Sequence, residues 1–171
     1  VLEGKQAYNA LEFLEKFNET KGQTEPGKNV AVIGGGNTAM DTARAAKRCR
    51  GVEHVYLVYR RTKRYMPADE HELQLALEDG VEFKELLAPV KMENGMLECE
   101  QMVLGEPDES GRAGVHGTKK TEQVPADTVI AAVGEKVPSD FYEANGIHVD
   151  ERGRALVSEN LETNIPGVYV I

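Results

Sequence analysis

Cysteine is scarce in this chain: Cys49 and Cys99 stand far apart and no Cys-x-x-Cys occurs. They form neither a redox dithiol nor half of a zinc site, and such sparse use suggests a reducing cytoplasm. His54, His71, His116 and His148 are scattered without ligand spacing, which argues against a metal centre. No apolar stretch approaches the ~20 residues of a membrane helix. No charged segment, apolar core and cleavage site opens the chain, so no secretory signal is expected. Positive charge is also in deficit. Lys and Arg number 20 against 29 Asp and Glu, for a net charge of −9. With a pI near 5.0, this is the reverse of what a binder of nucleic-acid backbones carries, and the acidic balance serves solubility. The remaining composition, 40% hydrophobic and 29% charged over 171 residues, suits one globular domain with a proper core.

Glycine, in contrast, is concentrated at one informative place. Residues 30–41 read Val-Ala-Val-Ile-Gly-Gly-Gly-Asn-Thr-Ala-Met-Asp, a β-branched run, a glycine triplet and the opening of a helix. Gly34 permits a tight turn out of the strand, and Gly36 leaves no side chain where a phosphate must approach. Ala39, small at the third fingerprint position, lets the helix pack close to the sheet. Unpaired N–H groups and the positive dipole end then face an anion. A helix over 40–50, a stop at Gly51 and a buried strand over 55–59 complete one βαβ unit of about the expected ~30 residues. A tight turn without a ligand is the plain alternative. No Gly-Lys-Ser/Thr follows the glycines, which argues against a mononucleotide P-loop.

The residue closing the second strand of such a unit sits beside the adenosine ribose. An acid there favours NAD, whereas arginine accommodates the 2′-phosphate of NADP. No acid is found at that point; Arg60, Arg61, Lys63 and Arg64 are found instead. Guanidinium groups suit phosphate oxygens, and a hydrogen bond to a charged group contributes about 1.5–3 kcal/mol. NADP(H) is the expected nucleotide. An exposed basic loop with no partner would be the default had the cluster stood elsewhere, and Tyr59 reads as core.

Around this unit, the pattern predicts an opening amphipathic helix over 8–17 and a polar connector over 21–29. A further helix spans 68–79. The period then changes. Val81, Phe83 and the Leu86-Leu87 pair read as one strand, and 90–93 and 96–104 as a hairpin joined by Asn94-Gly95. A polar, mobile loop is expected over 105–118, a short strand over 122–124, a buried strand over 128–133 closing on Gly134, and the start of another at 168–171. The domain reading is residues 1–28 as helix and connector, and 29–171 as a single nucleotide-binding domain.

Several motifs together resemble one family. They are Gly-Gly-Gly-Asn-Thr-Ala-Met-Asp (34–41), Tyr-Arg-Arg (59–61), Met-Pro-Ala (66–68) and Gly-Val-Glu-Phe-Lys (80–84). Gly-Glu-Pro-Asp (105–108), Pro-Ala-Asp-Thr-Val-Ile-Ala-Ala-Val-Gly (125–134) and Thr-Asn-Ile-Pro-Gly-Val-Tyr-Val (163–170) belong to the same set. The chain resembles the glutamate synthase small subunit and its relatives among two-dinucleotide flavoproteins. These include the reductase part of dihydropyrimidine dehydrogenase. Residues 141–147 resemble the selenate reductase flavoprotein subunit branch.

The resemblance implies an α/β, Rossmann-like fold with a central parallel sheet and an antiparallel β-meander, as in the nucleotide-binding domain of disulfide reductases. It further implies that this chain is the NADPH-binding domain inserted in an FAD domain, ending at the junction to that domain. FAD and iron–sulfur clusters would belong to other parts of the parent, with no catalysis by this piece alone. By position, Gly34, Gly35, Gly36, Asn37 and Thr38 would surround the pyrophosphate. Arg60 and Arg64 would take the 2′-phosphate, with Arg61 nearby. Asp41 stands either near the nicotinamide amide or simply as an acid in the first helical turn. Gly134 and Glu135 stand where the family strand meets the cofactor, and Glu135 could equally be solvated. Two other functions compete: a stand-alone NAD(P)-dependent dehydrogenase, which would need a proton donor that the sequence does not reveal, and a non-catalytic scaffold domain.

Overall fold

The computed structural model describes residues 7–107, 113–134 and 139–171. The chain runs through β1 (Ala7–Asn9), α1 (Ala10–Glu19), β2 (Asn29–Ile33), α2 (Asn37–Lys47), β3 (His54–Tyr59), α3 (Glu70–Glu78) and β4 (Glu82–Glu85). It continues through β5 (Leu87–Glu93), β6 (Met96–Pro107), β7 (Ala113–Pro125), β8 (Thr128–Ala131) and α4 (Ser139–Ala144). A parallel sheet has the order β1-β8-β2-β3-β4, and β5-β6-β7 make an antiparallel sheet. This is the α/β architecture, with its β-meander, that the resemblance implies. By contacts the chain divides into two compact units, Val1–Val133 and Gly134–Ile171, where the sequence reading draws its boundary after residue 28. Both sheets belong to the first unit.

Alternation along the strands decides what each face of the parallel sheet meets. Val30 and Val32 of β2, Val55 and Leu57 of β3, and Ile130 of β8 point to one side. There they pack with Phe13 of α1, Met40 and Ala43 of α2, and Leu73 of α3. Ala31, Ile33, Tyr56, Val58 and Val129 point to the other side and pack with Leu87, Leu97, Cys99 and Val124 of the meander. Helices therefore cover one face and the meander the other. A sheet buried on both faces needs uninterrupted apolar strands rather than alternating ones, which is why Val30 to Ile33 and Val55 to Tyr59 contain no polar residue except tyrosine hydroxyls.

Four expectations are revised. The opening helix starts later, at Ala10, because Asn9 caps it: its Oδ1 accepts the N–H of Leu11 at 2.9 Å. The preceding Ala7–Asn9 is instead an edge strand paired with β8, too short to show a period. The single strand expected over 81–87 is two. Leu86 has φ +56°, and that kink sends β4 into the parallel sheet and β5 into the meander. The polar segment 105–118 is largely strand, since β6 reaches Pro107 and β7 begins at Ala113, paired with each other; residues 108–112 lie outside the described residues. Its glycines and charges conceal the paired ends of β6 and β7. Finally, 168–171 forms no strand, only an isolated bridge from Glu162 to Tyr169.

Asp127 ties the turn before β8 to the start of β2. Its Oδ2 accepts the N–H groups of Lys28 and Asn29, both at 2.8 Å. Bonds to a charged acceptor contribute about 1.5–3 kcal/mol, and this one is half-buried. Asp127→Ala is therefore expected to lower the unfolding free energy by about 2 kcal/mol in chemical denaturation. An unchanged denaturation midpoint would remove this role.

Candidate functional site

At the carboxyl end of β2 the three glycines have three different surroundings. Gly34 turns the chain with φ +154°, and its N–H donates to the Val58 carbonyl at 3.1 Å. A Cβ there would meet the Ala132 carbonyl oxygen and lie 3.1 Å from the Ala39 methyl. Gly35 lies against the Tyr59 ring, whose Cδ2 would stand 2.7 Å from an added Cβ, and its carbonyl accepts the Ala68 N–H at 3.0 Å. Gly36 is extended (φ −95°, ψ 175°) as the N-cap of α2. A Cβ on it would meet nothing within 4 Å.

The start of α2 is therefore bare. No side chain caps it, and its first turn holds no acid. The first N–H groups of a helix have no partner within it, and the aligned peptide dipoles place about half a positive charge there. An open, side-chain-free approach beside such donors suits an anionic diphosphate. The small Ala39, Ala43 and Ala46 are fully buried against the sheet and let the helix sit close enough to β2 for this turn to form.

The other predicted residues are distributed around this turn. The Asn37 Oδ1 accepts the Asp69 N–H at 2.9 Å, joining the starts of α2 and α3. Thr38 is half-buried, and its carbonyl accepts the Thr42 hydroxyl at 2.6 Å. Asp41 is exposed and lies beyond the first turn of α2, so the reading of it as a first-turn acid is corrected. Arg60 is exposed directly after β3. Arg61 is half-buried and turned to the meander, its Nε donating to the Ala113 carbonyl at 2.8 Å. Arg64 is exposed on the 3-10 turn Lys63–Tyr65, its guanidinium 5.8 Å from the centre of the Tyr65 ring. Gly134 is exposed with φ +88° and opens the second unit. Glu135 lies outside the described residues.

Tyr59 is core, as the sequence suggests, but it also has a polar task the sequence does not reveal: its hydroxyl donates to the Tyr65 carbonyl at 2.7 Å. Together with the Ala68–Gly35 bond, this holds the arginine-bearing segment 60–68 on the glycine turn. The only sequence signal for that docking is a tyrosine where an aliphatic residue would fill the strand. Burial pushes the thiols of Cys49 and Cys99 up to about 11 and about 12, so both stay protonated and unreactive at neutral pH.

The chain matches the pyridine nucleotide-disulphide oxidoreductase family over residues 2–171, and it belongs to that family. It is 42% identical to YgfK of Escherichia coli K12, whose name describes an oxidoreductase, over 96% of this chain and 16% of that protein. It is 35% identical to the small chain of the Escherichia coli K12 NADPH glutamate synthase, over 90% of this chain and 35% of that one. A similar fold is seen in the thioredoxin reductase of T. acidophilum, at TM-score 0.65 and 18% identity over 95% of this chain and 47% of that chain. The chain thus spans well under half the length of these curated relatives, and the resemblance drawn from its motifs agrees with them.

The glycines make a stability test. Gly34→Ala is expected to lower the melting temperature steeply, because its methyl would press on the Ala132 carbonyl. Gly36→Ala keeps the fold to within about 1 kcal/mol, the scale of an N-cap change. Equal losses in thermal unfolding would contradict the distinction.

Proposed function

We propose that this chain binds NADPH and is the NADPH-binding part of a larger flavin- and iron–sulfur-dependent oxidoreductase. The observation that carries the reading is a bare helix start at Gly36 beside a strand end with no acid and two exposed arginines, Arg60 and Arg64. NADPH held here would supply a hydride, and its acceptor would be a flavin in an FAD-binding domain of the same parent, with an iron–sulfur domain or subunit as the electron partner. The name of the glutamate synthase relative carries NADPH, which agrees with this reading.

In this account the chain's own contribution is binding and orientation. The N–H groups of residues 35–38 hold the diphosphate, with Gly34 setting the turn and Gly36 leaving the approach clear. Arg60 and Arg64 hold the 2′-phosphate by charge-assisted hydrogen bonds. The Arg61 Nε is already committed to Ala113, so Arg61 serves mainly to fix the meander. Asp41, one turn into α2 and exposed, would accept the carboxamide N–H of the nicotinamide. The family resemblance also assigns Gly134 and Glu135 to cofactor binding. Two buried free thiols suit a reducing compartment such as the cytoplasm. Among the described residues no helix is long and apolar enough to cross a membrane.

Calorimetric titration with NADP+ and NAD+ tests the proposal. NADP+ is expected to bind at least about tenfold more tightly, a difference of about 1.4 kcal/mol. Replacing Arg60 and Arg64 with alanine removes that advantage while leaving NAD+ affinity within about twofold. An equal loss for both nucleotides would overturn the assignment.

A further inference from the structure

Arg64 sits on an exposed 3-10 turn of three residues, and a structure this short holds its shape only if something outside it does the holding. The turn's own bonds are the Tyr65 N–H to the Thr62 carbonyl at 3.0 Å and the Met66 N–H to the Lys63 carbonyl at 3.1 Å. Two side chains from neighbouring strands reach its ends. From β3, the Tyr59 hydroxyl donates to the carbonyl of Tyr65 at 2.7 Å. From β4, the Glu85 Oε2 accepts the N–H of Lys63 at 3.1 Å. Tyr59 also presses its ring on Gly35, so one side chain touches both the glycine turn and the arginine turn. We propose that Tyr59 and Glu85 are positioning residues for nucleotide choice: by gripping both ends of the Lys63–Tyr65 turn, they present Arg64 to the 2′-phosphate in a preset place.

The physical gain is preorganisation. A long arginine side chain on a loose loop loses conformational freedom when it binds an anion, and fixing its backbone beforehand reduces that loss. The contact of the Arg64 guanidinium with the Tyr65 ring restrains the side chain itself. Neither Tyr59 nor Glu85 touches the nucleotide in this account. Their effect is confined to the nucleotide that carries the extra phosphate.

This inference rests on the reading of the site above, and the experiment separates the two. NADP+ and NAD+ are titrated calorimetrically against the full-length protein and its variants, with thermal unfolding measured alongside. Tyr59→Phe, which removes one hydroxyl, is expected to lower the NADP+ preference by about three- to tenfold, all of it in NADP+ affinity. Glu85→Ala should act in the same direction, and Glu85→Gln, which keeps an acceptor, should restore most of the preference. In an Arg64→Ala background Tyr59→Phe should change nothing, because its action passes through Arg64.

The proposal is overturned if Tyr59→Phe weakens both nucleotides equally, leaves the preference intact, or acts as strongly without Arg64. Should Tyr59→Phe fail to fold, the Glu85 pair decides alone. A wild-type protein with no preference for NADP+ would overturn the reading of the site and this inference together. A preference that depends on Arg64 but not on Tyr59 or Glu85 would overturn the inference only.

Discussion

The chain leaves β2 through a gap that admits no side chain. On one side of Gly34 its own amide is bonded to Val58 of β3, and on the other stands the carbonyl of Ala132 just past β8. With two strand ends closing on one residue, the backbone has a single way out, and that way leads directly into α2. The orientation of the helix start, the openness at Gly36 and the distance from there to the end of β3 all follow from this confinement.

The layers around the turn serve it in different ways. The small residues of α2 let the helix approach the sheet, so the uncapped amides lie at the strand ends rather than above them. On the opposite face the meander is more than cover. Its strand β7 begins at Ala113, which receives the Arg61 side chain, and its first strand begins where Leu86 leaves the sheet. Of the arginines that follow β3, one is therefore spent on joining the layers, and two remain exposed. A cluster that looks uniform in sequence is divided by the fold into one side chain that joins the layers and others that stay exposed.

What could be read from the sequence was whatever depends on local pattern. The strand–glycine–helix passage at 30–41 was legible because Gly34 and Gly36 each have a backbone reason and the flanking residues repeat at helical or strand spacing. The hairpin at Asn94-Gly95 was legible because that dipeptide favours the required turn. Features set by distant partners were not legible. Nothing near Ala7–Asn9 announces a strand whose partner is Val129 to Ala131. The strand ends over 105–107 and 113–118 have the composition of a loop because much of them is exposed. The Tyr59 hydroxyl and the Glu85 carboxylate acquire their tasks only when β3 and β4 lie side by side. Of the two readings of Asp41, the first-turn acid fails because the helix begins at Asn37, which sets Asp41 past the first turn.

Solving the structure of the full-length protein with NADP+ bound tests the central claim most directly. The account predicts diphosphate oxygens within hydrogen-bond distance of the main-chain N–H groups at 35–38 and the 2′-phosphate against Arg60 and Arg64. A nucleotide bound elsewhere, or one whose diphosphate faces away from Gly36, would contradict it.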